Sequence, residues 1–161
     1  MKQISHFING EFVAGREGRR FDKRSPLDNR VIASVSEAGR DEVNAAVAAA
    51  RAALEGPWGR MTVTERTELL YAVANEINRR FDDFVAAEVA DTGKPVSLAS
   101  HLDIPRGAAN FKIFADVVKN VPGEFFEMAT PDGRGAINYA LRRPVGVVGV
   151  VCPWNLPLLL M

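Results

Sequence analysis

The chain has a single cysteine, Cys152, and two histidines, His6 and His101, among its 161 residues. One thiol excludes an internal disulfide and fits a reducing compartment. Neither histidine stands at metal-ligand spacing from the other or from Cys152, so no zinc site is expected. Net charge is also missing, because twenty Lys and Arg balance twenty Asp and Glu. Attraction to nucleic acid or to an anionic membrane surface therefore has no basis. The opening residues MKQISHFING lack the basic and then apolar regions of a secretory signal. The most apolar stretch is broken by Pro153, Asn155 and Pro157, which does not make a membrane span. Gly146-Val147-Val148-Gly149 is not a G-x-G-x-x-G phosphate loop, and there is no internal repeat. The expectation is a cytoplasmic globular protein with no nucleic-acid or membrane partner.

The length suits one domain with a real core. Phe7-Ile8-Asn9-Gly10-Glu11-Phe12-Val13 reads as a hairpin, since Asn-Gly tolerates the positive φ angles of a type I′ turn. Gly15 to Lys23 is charged and expected to be exposed. Ser25 to Asn29 reads as a turn and Val31 to Val35 as a strand. From Asp41 the period changes: Val43, Ala46, Val47, Ala50 and Leu54 mark an amphipathic helix ended by Gly56-Pro57. Thr62-Val63-Thr64-Glu65 has capping-box spacing. The helix behind it is expected to bury Leu69, Leu70, Val73 and Ile77 and to extend its pattern to Asp91-Thr92-Gly93-Lys94-Pro95. A further helix, Val96 to Val118, must kink or restart at Pro105, with Phe111, Phe114, Ala115 and Val118 on its buried side. Ala136 to Arg142 alternates like an antiparallel strand.

Val147, Val148, Val150 and Val151 predict a strand covered on both faces. Pro153 ends it, having no N–H for a ladder. Trp154 and Asn155 then fall at the carboxyl end of a parallel strand, where open α/β sheets hold ligands. A carboxamide there can donate to a developing oxyanion; it can equally serve as a helix cap or turn former. Leu158 to Met161 are apolar with no stop signal, and read as an element cut short.

Five stretches in this order, Phe7-Ile8-Asn9-Gly10, Gly56-Pro57-Trp58, Asp91-Thr92-Gly93-Lys94-Pro95, Arg143-Pro144-Val145-Gly146-Val147 and Pro153-Trp154-Asn155, resemble the amino-terminal part of the NAD(P)-dependent aldehyde dehydrogenase superfamily. Leu102 to Phe111 is similar to the subgroup that acts on 2-hydroxymuconic and 2-aminomuconic semialdehydes in meta-cleavage of aromatic compounds. The resemblance implies an α/β fold: residues 1–121 as the first part of a Rossmann-like cofactor domain, 122–144 as antiparallel oligomerisation strands, and 145–161 as the start of the nucleotide sheet, cut short. It implies oxidation of an aldehyde to a carboxylic acid, foremost of 2-hydroxymuconic semialdehyde. The cofactor would be NAD, with NADP not excluded, and the intact enzyme a homo-oligomer, dimer or tetramer.

Carried onto this sequence, the resemblance makes Asn155 the side-chain donor of the oxyanion hole. Val151, Cys152, Pro153, Trp154 and Asn155 lie against the nicotinamide-ribose part of the cofactor. Arg106 becomes the fork for a substrate carboxylate, and Leu156 an apolar wall of the same pocket. Asp91, with backbone oxygens near Lys23 and Arg24, matches a monovalent-cation site, although Asp91 is equally well placed as a turn former. Cys152 is expected as a small packing group rather than the nucleophile. The catalytic thiol and the glutamate base belong further along the family's chain, so these residues alone are expected to be inactive. Three alternatives stay open: another aldehyde dehydrogenase such as a betaine or aminoaldehyde enzyme, an inactive truncated piece with an interaction role, and a stand-alone binding module.

Overall fold

The computed structural model describes residues 1–15 and 18–161. Arg16 and Glu17, inside the charged segment expected to be exposed, lie outside the described residues. The Asn-Gly turn forms as its chemistry dictates, with Asn9 at φ 53° and Gly10 at φ 84° joining β2 (His6–Ile8) to β3 (Glu11–Val13) antiparallel. A second, three-stranded sheet has the order β1 (Lys2–Ile4), β5 (Val31–Ser36), β4 (Arg20–Arg24), with β1 parallel and β4 antiparallel to β5. Residues 18–22 are exposed as expected, and strand β4 adds a pairing that the charged composition did not indicate. Its charged residues are compatible with pairing because Arg20 binds its neighbour strand, donating to Ser34 Oγ at 2.9 Å, Ser36 Oγ at 2.8 Å and Ser34 O at 2.7 Å.

Helix α1 (Arg40–Glu55) begins where the Gly39 N–H meets Glu42 Oε2 at 2.8 Å and ends at Gly56. Pro57 then opens the short α2 (Pro57–Arg60), where its lost N–H is no cost. The capping box of α3 (Val63–Arg79) is complete: Glu65 N–H donates to Thr62 Oγ1 at 3.2 Å, and Thr62 N–H donates to Glu65 Oε2 at 2.7 Å. The chain breaks at Arg80 before α4 (Phe81–Thr92). The expected long helix from Val96 is α5 (Val96–Leu98), a π turn over Ala99–Asp103, and α6 (Ile104–Asn120). Pro105 cannot donate an N–H to the turn before it, and the wider π turn absorbs that loss, with the Ile104 N–H reaching back to Ala99 O.

The core lies between α3, α4 and α6, around Ile77, Val85, Ala99, Ile104, Ala108 and Leu158. Other predicted inward faces are open in this chain. Val43, Val47, Leu69, Val73, Phe114 and Val118 are exposed, because no element among the described residues covers them. The strand expected at residues 147–151 does not form. Among the described residues no neighbouring strand pairs with it, and Val145 and Val151 are 94% and 95% exposed. A lone extended segment has nothing to receive its ladder hydrogen bonds. The antiparallel excursion is present as β6 (Phe125–Met128) paired with β7 (Ala136–Tyr139), shorter than expected at its far end. Leu158 and Leu159, read as an open end, are buried against α6. No helix among the described residues is long and apolar enough to cross a membrane.

Candidate active site

The Asp-Thr-Gly-Lys-Pro stretch turns the chain from α4 toward the π turn, and each residue has a distinct task. Asp91 pairs with Lys23 Nζ at 3.0 Å. Thr92 Oγ1 donates to Glu88 O at 2.7 Å, tying off the helix end. Gly93 closes it at φ 73°, a conformation that disfavours a side chain. Pro95 starts the next turn, its carbonyl accepting from Leu98 and Ala99 N–H groups. Lys94, between the glycine and the proline, is thereby directed inward.

Lys94 Nζ donates to Glu88 Oε1 at 3.0 Å, to Asp103 Oδ2 at 2.5 Å and to the backbone carbonyl of Asn155 at 2.7 Å. The side chains of Lys94, Glu88 and Asp103 are 11%, 4% and 1% exposed. Burial pushes the lysine toward neutrality, but the hydrogen bonds to Asp103 and Glu88 outweigh it and hold the ammonium above its ordinary value. Asp103 is brought inward by the π turn, and its other oxygen, Oδ1, is buried without a partner among the described residues. In the sequence Lys94 stands within a helix stop and one of the five family-like stretches, with no role of its own indicated. The available signal was Asp103, an acid between Leu102 and Ile104 in line with Ala99 and Gly107 on an otherwise apolar stripe.

Three attachments hold the segment after Pro153 onto α6. Besides the lysine on Asn155 O, Leu158 rests on Gly107, where an added Cβ would lie 2.8 Å from Leu158 Cγ. Asn110 Nδ2 donates to Leu159 O at 2.9 Å. Behind these contacts, a cavity of about 170 Å³ lies among Leu70, Gly107, Phe111, Phe114, Leu158 and Met161. The chain thus presents Trp154, 84% exposed, and Asn155, whose carboxamide makes no hydrogen bond among the described residues. Cys152, a free thiol, and Pro153 are half-buried beside them, as is Leu156. Arg106 is exposed on α6, three residues after Asp103 and four before Asn110, so it shares the helix face that carries this segment. Lys23, Arg24 and Asp91 lie apart from it in sequence: Arg24 Nη1 donates to Asn29 O at 3.0 Å, and the Asp91 carboxylate is taken up by Lys23. Among the described residues no cluster of three or more His, Cys, Asp or Glu could hold a metal ion.

With this geometry in place, the comparison with known proteins is decisive, since residues 12–161 match the aldehyde dehydrogenase family. The chain belongs to that family. It is 68% identical, over its whole length, to a 2-hydroxymuconic semialdehyde dehydrogenase of Pseudomonas sp. strain CF600, of which it covers 33%. It is 51% identical to a 2-aminomuconic 6-semialdehyde dehydrogenase of Pseudomonas sp., again over the whole chain, covering 32% of that relative. The chain spans about a third of the length of these curated relatives. Among solved structures, an aldehyde dehydrogenase from Bacillus cereus in complex with NAD+ superposes with a TM-score of 0.88 at 38% identity, over 98% of this chain and 32% of its own. The NAD-dependent aldehyde dehydrogenase of Sinorhizobium meliloti gives 0.88 at 32% identity, over 99% of this chain and 32% of its own. The α/β class follows from these superpositions. Because the superpositions leave almost none of this chain out, the unpaired run 145–151 lies largely within the match.

Proposed function

We propose that the enzyme carrying this chain oxidises an aldehyde to a carboxylic acid with a nicotinamide cofactor, and that its substrate is 2-hydroxymuconic semialdehyde or a close carboxylated relative. The observation that carries the reading is Asn155. It follows an apolar run, its carbonyl is held from behind by Lys94, and its carboxamide is unengaged. A thiol adding to an aldehyde turns the carbonyl oxygen into an anion, and a carboxamide N–H fixed in advance stabilises that anion without reorganising. NAD, with NADP as the alternative, supplies the hydride acceptor when bound. The uncovered apolar surface of Val151 and Trp154, next to half-buried Cys152 and Pro153 and the Asn155 amide, fits its nicotinamide-ribose end.

Arg106 serves as the carboxylate fork, its guanidinium free of any ion pair among the described residues and on the face of α6 that carries the Asn155 segment. Leu156 supplies an apolar wall. A monovalent cation near Lys23, Arg24 and Asp91 would have to share Asp91 with the lysine ammonium. The exposed side chains of Phe125, Phe126, Ile137 and Tyr139 on the β6–β7 hairpin suit pairing with further subunits. The nucleophilic thiol and the general base are assigned to parts of the longer relatives that these residues do not span, so the 161-residue chain alone gives no turnover.

The test is a chimera in which these residues replace the corresponding third of the Pseudomonas relative. It should reduce NAD with a carboxylated semialdehyde, and Asn155→Ala should lower kcat by about 100- to 1,000-fold. Full activity of the alanine variant would remove the assignment.

A further inference from the structure

Lys94 has no part in the chemistry above, yet it is the buried cation that touches Asn155. Its ammonium offers three N–H donors and meets three acceptors. Two of these, Glu88 and Asp103, are carboxylates on α4 and the π turn; the third is the backbone of the residue whose side chain is the candidate oxyanion donor. We infer that Lys94 is a positioning residue: Glu88 and Asp103 orient its ammonium, and the ammonium fixes the Asn155 peptide so that the carboxamide points where the aldehyde oxygen becomes charged. This rests on the reading of Asn155 as the oxyanion donor.

One carboxylate would suffice to neutralise a buried lysine. A second one beside it adds repulsion, and Asp103 Oδ1 is left without a partner at a further cost. What two fixed acids add is direction. With two N–H groups committed to separate elements, the third has one orientation, and it meets Asn155 O at 2.7 Å. The lysine stem otherwise retains several rotamers. The Leu158–Gly107 contact and the Asn110 bond to Leu159 O pin the same segment from its other side. Between these anchors the Asn155 peptide cannot rotate freely. Misplacing a catalytic group by about 1 Å costs on the order of 100-fold in rate.

The experiment uses the chimeric enzyme. Glu88→Gln, Lys94→Met and Asp103→Asn together remove the donor to Asn155 without stranding a buried carboxylate. The triple variant should melt near the parent, lose about 10- to 100-fold in kcat, and keep its KM for NAD. In an Asn155→Ala background the same triple change should cost no further rate, because a displaced amide and a missing one are equivalent. Parental kcat in the triple variant, or losses that multiply with Asn155→Ala, would overturn the inference. Loss of folding in the triple variant moves the test to Glu88→Gln alone, which keeps the Lys94–Asp103 pair; a few-fold lower kcat, absent in the Asn155→Ala background, is expected, and no change overturns the inference. Parental activity of Asn155→Ala by itself identifies failure of the oxyanion reading instead.

Discussion

Replacing Gly107 by alanine should destabilise the chain, although glycine inside a helix is ordinarily the weaker choice. Gly107 lies in the first turns of α6, and alanine there gains about 1 kcal/mol of helix propensity. The new Cβ, however, would stand 2.8 Å from Leu158 Cγ and 3.1 Å from its Cδ2, closer than carbon atoms pack. Leu158 is buried in the core cluster and followed by Leu159, whose carbonyl is bound by Asn110, so it has little freedom to retreat. Overpacking of this kind costs about 1–3 kcal/mol, leaving a net loss of up to about 2 kcal/mol. Equilibrium urea denaturation followed by far-UV circular dichroism measures it. Leu158→Ala supplies the control, at about 2 kcal/mol or more by itself. In the double variant the alanine methyl at 107 occupies part of the vacated space, and the combined loss should fall short of the sum by about 1 kcal/mol. A Gly107→Ala chain stabilised by the full propensity gain, or strict additivity with Leu158→Ala, would show that the leucine does not rest on this glycine.

Thr62→Ala removes the hydroxyl that accepts the Glu65 N–H and should cost about 1 kcal/mol in the same denaturation assay, with Thr62→Ser close to the parent. Because the Lys94 ammonium is held above its ordinary value of 10.5, its stabilisation is fully present below that pH and is lost only as pH rises through the higher folded value. Against the Glu88→Gln, Lys94→Met, Asp103→Asn triple variant, which leaves no carboxylate stranded, the parent's melting temperature should therefore hold its position across neutral pH and fall only in strong alkali. A relative loss that sets in near neutrality contradicts the cluster. In the chimera, Arg106→Ala should raise KM for carboxylated aldehydes about 10- to 100-fold and leave neutral aldehydes nearly unchanged, as steady-state kinetics on a matched pair of substrates would report.

Local chemistry was readable wherever a few neighbouring residues decide the backbone. The Asn9-Gly10 turn, the Thr62–Glu65 box, the Gly56-Pro57 stop and the interruption at Pro105 all follow from positive φ angles, orphan N–H groups and the missing proline donor. Burial was less readable. Val147 to Val151 have the composition of a covered strand but stand open, because composition records what a segment tolerates and not whether a neighbour is present to pair with it. Strand β4 went unread for the opposite reason: its charged residues suggest solvent, and only the serines of β5, 14 and 16 residues away, make a pairing site for Arg20.

By itself, the sequence determined the family, through five short stretches in order, and marked Asn155 and Arg106 as the chemical groups to watch. The Lys94–Glu88–Asp103 cluster and its grip on Asn155 were decided by tertiary structure alone. An ammonium finds its third acceptor 61 residues along the chain, and no periodicity or propensity reaches that far. Such a contact exists only once the π turn has moved Asp103 inward and α6 has offered Gly107 and Asn110 to the returning segment.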